Sequence, residues 1–311
     1  MKKFIAAGSA LVLVFCLTVS AFAQDGKAES ELFGKIVKLT QTKKPEDQEK
    51  AYNLSKDFLA KYGTGTDDQV KKIKGFVEKY KVAAFMKKLE EVKTAEAFAL
   101  GKEILAQQPE NTFVIINLAY GGYDALDKKK DKSFAADSIN YAKQALMLLE
   151  AGKLPDSFAP FKDQAEAAAL MYYVIGSFTT DSDAREAAKS FYKSLQYESQ
   201  IKNTSYPYYA IAYGYEKAYE KLADDYQAKI NSKSADSELM VAQKKLEKAV
   251  ALMLDAYARA VKVAETDNNL GKEAWKQRYM EIYKYANHSD AGSAEYLNSV
   301  MNKPLPDPNS L

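Results

Sequence analysis

The chain has 311 residues, room for one large domain or two ordinary ones, and 44 basic residues against 42 acidic. Near-neutrality leaves no net field to hold a polyanion, and only 3 of the basic residues are arginines (Arg185, Arg259, Arg278), so nucleic-acid or phosphate recognition is not expected. With one Cys (Cys16) and one His (His288), the chain cannot supply a zinc site or a di-iron site of paired Glu-x-x-His units, so no metal and no cofactor is expected.

Residues 1–23 open with Lys2 and Lys3, continue with an apolar run from Leu11 to Val19, and end on Ala21-Phe22-Ala23. A basic start, a short apolar core and a small-x-small site are the marks of a secretory signal peptide, cleaved here after Ala23, and the leader looks bacterial. Retention as an anchor is the rival reading, since residues 4–23 carry no charge. Phe15 before Cys16 speaks against lipidation. Cleavage removes the only thiol and leaves 42 basic against 42 acidic residues. The exported chain then has no disulfides and relies on burial alone, and no second apolar run is long enough to span a bilayer.

From about Ser30 onward the pattern predicts helices almost throughout, and the chain is rich in Ala, Lys, Glu, Leu and Gln. Pro45 suits a first helical position and Gly63 the residue just past that helix, with Ala51, Leu54, Phe58 and Tyr62 on one face. Thr66-Asp67-Asp68-Gln69 reads as a capping box with Thr66 as the cap. Val70, Ile73, Val77 and Tyr80 form the next stripe. Further helices are predicted at about 94–107, 112–126, 134–150, 158–178, 182–200, 206–230, 236–265, 271–287 and 291–302. Their short polar connections imply antiparallel neighbours. Residues 303–311 hold Pro304, Pro306 and Pro308 and cannot be helical; an extended strap or a loose end is expected.

Several second-helix segments share one spacing of small and apolar residues. Ala97, Gly101 and Ile104 show it, followed by Pro109, as do Ser138, Ala142 and Ala145; Ala187, Phe191 and Ser194; and Met253, Tyr257 and Ala260. Phe113, Ile116 and Tyr120 hold the large positions of a first helix. This resembles the tetratricopeptide repeat family, most clearly from Thr94 to Tyr120 and more weakly over 46–287. The resemblance implies an all-α, tetratricopeptide-like α-solenoid of antiparallel helix pairs over 24–302, each pair covering its neighbour. Departures are considerable: Asn117 stands where the family has Gly, Phe113 where Trp is common, and matching positions recur at roughly 40 to 65 residues rather than about 34. A non-repetitive helical bundle is the competing expectation.

Little chemistry remains. No phosphate loop is present, and His288 reads as a turn or cap residue. Gly121-Gly122 reads as a site of close helix packing. Glu90-Glu91, Asp224-Asp225 and Glu273 are carboxylate pairs in number only, so no catalytic residue is assigned; a cell-wall lyase or hydrolase would need a buried Glu in a cleft. The unusual enrichment is Tyr, 22 residues, with Tyr206, Tyr209 and Tyr213 on one helix face and Tyr208, Tyr215 and Tyr219 on another. One face is expected to pack and the other to line a surface for peptide or sugar.

As the resemblance implies, the chain is expected to be a non-catalytic scaffold, periplasmic or extracellular, that holds a protein segment or peptide of the cell envelope in a concave groove. Tyr206, Tyr209, Tyr213, Phe113 and Tyr120 are the candidate partner-binding residues. A small-ligand or glycan-binding helical protein using the Tyr cluster is the alternative.

Overall fold

The computed structural model describes residues 24–311; the leader read over 1–23, with Cys16, lies outside them. The described residues form twelve α-helices joined by short turns, with no strand among them. The helices are α1 (Gln24–Thr40), α2 (Pro45–Tyr62), α3 (Asp68–Glu90), α4 (Thr94–Leu105), α5 (Thr112–Lys129) and α6 (Ala135–Glu150). They continue as α7 (Gln164–Thr179), α8 (Ala184–Gln196), α9 (Tyr206–Asn231), α10 (Asp236–Asp267), α11 (Lys272–Asn287) and α12 (Ser293–Ser299). No described helix is long and apolar enough to cross a membrane.

Side-chain caps set several of the starts. Asn111 accepts from the Val114 amide at 3.1 Å, Asp163 from Glu166 at 3.0 Å and Asp183 from Glu186 at 3.1 Å. The cap of α3 is Asp67, not Thr66: its carboxylate accepts from the amides of Gln69 at 2.8 Å and Val70 at 3.0 Å. A carboxylate also complements the positive end of the helix, which a hydroxyl does not. The helix expected from 158 starts only at Gln164, because Pro160 breaks the segment before it and Asp163 caps the later start. His288 is the exposed, left-handed residue that ends α11.

Helices pack mainly on their neighbours in sequence, with α3 also meeting α5 and α5 meeting α7. The core follows suit. It divides into four clusters, over α1–α3, α3–α5, α5–α7 and α8–α11. Small residues at the shared spacing sit where helices approach: Ala97, Ser138, Ala142, Ala145, Ala187, Ser194 and Ala260 have no exposed surface. Gly122 faces Ser138, and a Cβ there would lie 1.8 Å from the Ser138 hydroxyl, so the glycine pair does mark close packing. Asn117 is buried and donates its amide to the Phe113 and Ala159 carbonyls at 2.9 and 3.1 Å. It ties the 153–163 connection to α5.

At Gly214 in α9 a Cβ would come within 2.6 Å of Ala188 Cβ and 2.7 Å of the Ala184 carbonyl oxygen, so backbone would have to move. Gly75 in α3 has open space within 4 Å. Gly214→Ala should therefore cost about 1–3 kcal/mol in urea unfolding, while Gly75→Ala should gain up to about 1 kcal/mol.

Candidate functional site

The aromatic residues of α5, α7, α9 and α11 meet edge to face in one ladder. Tyr123 meets Tyr173 at 5.3 Å between ring centroids, Tyr173 meets Tyr206 at 6.3 Å, and Tyr206 also stands edge-on to Phe191 at 5.6 Å. Tyr209 stacks on Trp275 at 4.7 Å and 15°, and Tyr213 stacks on Tyr209 at 6.3 Å. Lys217 lies over the Tyr213 ring at 5.5 Å. Of the residues expected to bind a partner, then, Tyr206, Tyr209 and Tyr213 come together; the rings of Tyr206 and Tyr209 engage other helices, while Tyr213 meets Tyr209 and Lys217 of its own helix. Phe113 and Tyr120 lie elsewhere. Phe113 packs into the α3–α5 cluster, and Tyr120 meets Phe161 of the 153–163 connection edge-on at 5.4 Å.

The second tyrosine face of α9 is also covered. Tyr208 and Tyr215 are buried, and each hydroxyl reaches a main-chain carbonyl, of Lys202 and of Pro306, both at 3.2 Å. Neighbouring Glu216 accepts from the Tyr257 hydroxyl at 2.7 Å and from Arg278 Nε at 2.9 Å, locking α9, α10 and α11 together. The buried tyrosines Tyr208 and Tyr215 therefore have polar partners at their ring ends, which keeps these phenols dry without orphaning them.

The carbonyl of Pro306 belongs to the C-terminal segment, and that segment is a strap. Val300–Asn302 and Pro308–Ser310 are short 3-10 turns, and the residues between them run without helix along the groove between α8 and α10 above α9. Arg259 Nη2 donates to the carbonyls of Lys303 at 2.9 Å and Pro304 at 3.0 Å. The Tyr215 hydroxyl takes Pro306, and Lys248 takes Ser310. Because Lys248 precedes Arg259 by three turns, the strap runs antiparallel to α10. Leu305 and Leu311 touch the main cluster and Pro308 is buried. Arg259 itself is only 3% exposed and is held by Asp255, 7% exposed, through Nε to Oδ1 at 2.6 Å. A buried charge pair of this kind, with further acceptors on the guanidinium, is the most polar feature of the α8–α11 core.

Beside this filled groove lies an open one of about 660 Å³ between α6 and α8, floored by α7. Tyr172 and Ile175 line its floor, Met147 one wall and Lys189 and Lys193 the other. Glu90, Glu91, Asp224, Asp225 and Glu273 are all exposed. Arg259 and the two grooves are what sequence reasoning missed. The one available signal was an Asp and an Arg four apart, Asp255 and Arg259, on an otherwise apolar stretch of α10. The chain matches no protein-family model, no curated protein and no solved structure.

Arg259→Ala leaves Asp255 buried and unpaired and two strap carbonyls without a donor. The expected loss is about 3–5 kcal/mol in urea unfolding, with new protease cleavage within 303–311; the exposed Lys248→Ala should cost under about 1 kcal/mol.

Burial pushes the phenol of Tyr123 up to about 12, and burial raises those of Tyr173 and Tyr257 as well. An unfolded phenol ionises near 10, so above that pH the unfolded chain releases protons the folded chain keeps. Stability from these groups is full below about pH 10 and falls as pH rises towards about 12. The last part of the rise in phenolate absorbance, from these buried groups, should coincide with loss of helical circular dichroism rather than precede it.

Proposed function

We propose that the chain is a tetratricopeptide-like array of helix pairs that serves, outside the cytoplasm, as a non-catalytic scaffold for an extended segment of another protein of the cell envelope. The array reading is supported by buried small residues at the shared spacing, by packing in chain order and by first helices that meet one another, α3 with α5 and α5 with α7. The observation that carries the binding reading is the strap. A proline-containing stretch with no helix of its own lies along an inter-helix groove and is gripped at its main-chain carbonyls by side chains of α9 and α10. A fold that holds one such stretch from its own chain has the groove geometry and the donors to hold another.

The groove reading also displaces the aromatic face as the first choice for the partner. The ring faces of Tyr209 and Trp275 are stacked on each other, so they are not a bare platform for a sugar. In this reading Tyr206 and Tyr209 fix the angle between helices, and the half-buried Tyr213 lies beside Lys217. The leader assigns the compartment: a basic start and an Ala-x-Ala site direct export, and a mature chain without thiols suits an oxidising space.

Crosslinking in intact cells followed by affinity recovery of the full chain tests the scaffold. The expected result is a protein partner in fixed stoichiometry from the envelope fraction. Recovery of the bait alone, at expression levels near native, would overturn the reading.

A further inference from the structure

The open groove is built like the filled one. As α8 and α10 flank α9, so α6 and α8 flank α7. The second helices align on their buried positions: Ala187, Phe191 and Ser194 of α8 match Met253, Tyr257 and Ala260 of α10. On that alignment Lys193 stands where Arg259 stands, one residue before the last small position, and Lys189 stands where Asp255 stands. Both lysines line the open groove, on the same side of their helix from which Arg259 reaches the strap. A floor tyrosine is present in each, Tyr172 below the open groove and Tyr215 below the filled one. The two grooves are also continuous. Asn309 of the strap lines the edge of the open one, so the strap interface runs up to it.

The filled groove shows what chemistry such a seat takes. The donors that reach across to the strap from α9 and α10 all end on carbonyls: those of Lys303, Pro304, Pro306 and Ser310. Arg and Lys side chains are donors without acceptor capacity, and proline is an acceptor without an N–H. A proline-containing extended chain therefore presents what Arg259 and Lys248 need and carries few amides that would be left unpaired. The open groove offers donor-only groups in Lys143 and Lys193, with Met147, 62% exposed, as an apolar wall; Lys189 is paired with Glu186, and Glu150 and Asp183 also line it. Lys193 rests over the Tyr172 ring at 5.3 Å, which holds its ammonium at the groove.

We propose that the α6–α8 groove seats an extended, proline-containing segment of a partner protein, whose main-chain carbonyls accept from Lys193 and Lys143 as those of the strap accept from Arg259. This deepens the scaffold reading and rests on it for the identity of the occupant as another protein.

The probe is a fluorescent peptide with the strap sequence 303–311, added to the full chain, whose own strap keeps the α8–α10 groove filled. Anisotropy should show saturable one-to-one binding below about 1 mM, weakened about tenfold or more by Lys193→Glu and by Met147→Asp and unchanged by Tyr215→Phe. Circular dichroism and unfolding confirm that the two exposed substitutions leave the fold intact. No saturable binding to the full chain overturns the proposal. So does binding that responds to Tyr215→Phe and not to Lys193→Glu, which places the peptide in the neighbouring groove. A chain that sediments as a dimer and reverts to monomer with Met147→Asp also overturns it, in favour of a second copy as occupant. Envelope capture of a partner without peptide seating defeats this inference and leaves the scaffold standing; peptide seating without any captured partner defeats the scaffold instead.

Discussion

A helix pair buries one apolar stripe within itself and leaves another bare until the next helix arrives. Everything else in this structure depends on how closely that next helix can come. Closeness is set by small residues at the crossings: Gly101 under Leu118, Gly122 under Ser138, Gly176 under Phe191, Gly214 under Ala184 and Ala188. Each of these leaves no room for a Cβ without displacement, so each fixes the separation of two helices that adjoin in sequence. The result is a core in four successive clusters rather than one, in which each cluster is closed by the helices just before and after it.

A core built in file needs devices at its open faces. On α5 the face is covered by the chain segment that follows α6: Thr112 donates to the Lys153 carbonyl at 2.7 Å, Asn117 holds Ala159, and Phe161 meets Tyr120. At the other end the strap covers the α8–α10 groove and satisfies Arg259. In both places the covering segment has no regular structure of its own and contains proline, so its geometry comes from the surface beneath it. In the strap, the donors anchor main-chain carbonyls. Between these two covered regions the α6–α8 groove is left open.

Most of the helical layout was legible in the sequence because helix length, apolar period and turn residues report on local physics. Helices predicted at 206–230 and 236–265 occur as Tyr206–Asn231 and Asp236–Asp267, and the small positions of the repeat-like spacing are buried. Errors of detail arose where two local signals competed, as for Thr66 against Asp67 at a cap, or where Pro160 interrupted an apolar run. The candidate site was less legible, for a different reason. Tyr206, Tyr209 and Tyr213 share a face by period alone, but whether that face meets solvent or Trp275 is decided by a residue 66 positions beyond Tyr209. Nor does any local pattern say that Asp255 and Arg259 await a strap from Lys303 onward.

Holding a segment through its main-chain carbonyls constrains what a groove of this kind can distinguish. Carbonyls are common to every sequence, so Arg259, Tyr215 and Lys248 read the path of a segment more than its side chains. Sequence enters at two points: proline, which favours the extended path and removes amides that Arg259 and Lys248 could not satisfy, and apolar anchors such as Leu305 and Pro308, which need a fit against the core. The exposed donors each contribute little on their own. The buried Arg259 is different, since it holds two carbonyls at once and is itself fixed by Asp255. In the open groove Lys193, resting over the Tyr172 ring, puts a point charge in place of that anchored fork. A segment seated there as proposed would be held less tightly than the strap and would exchange more readily.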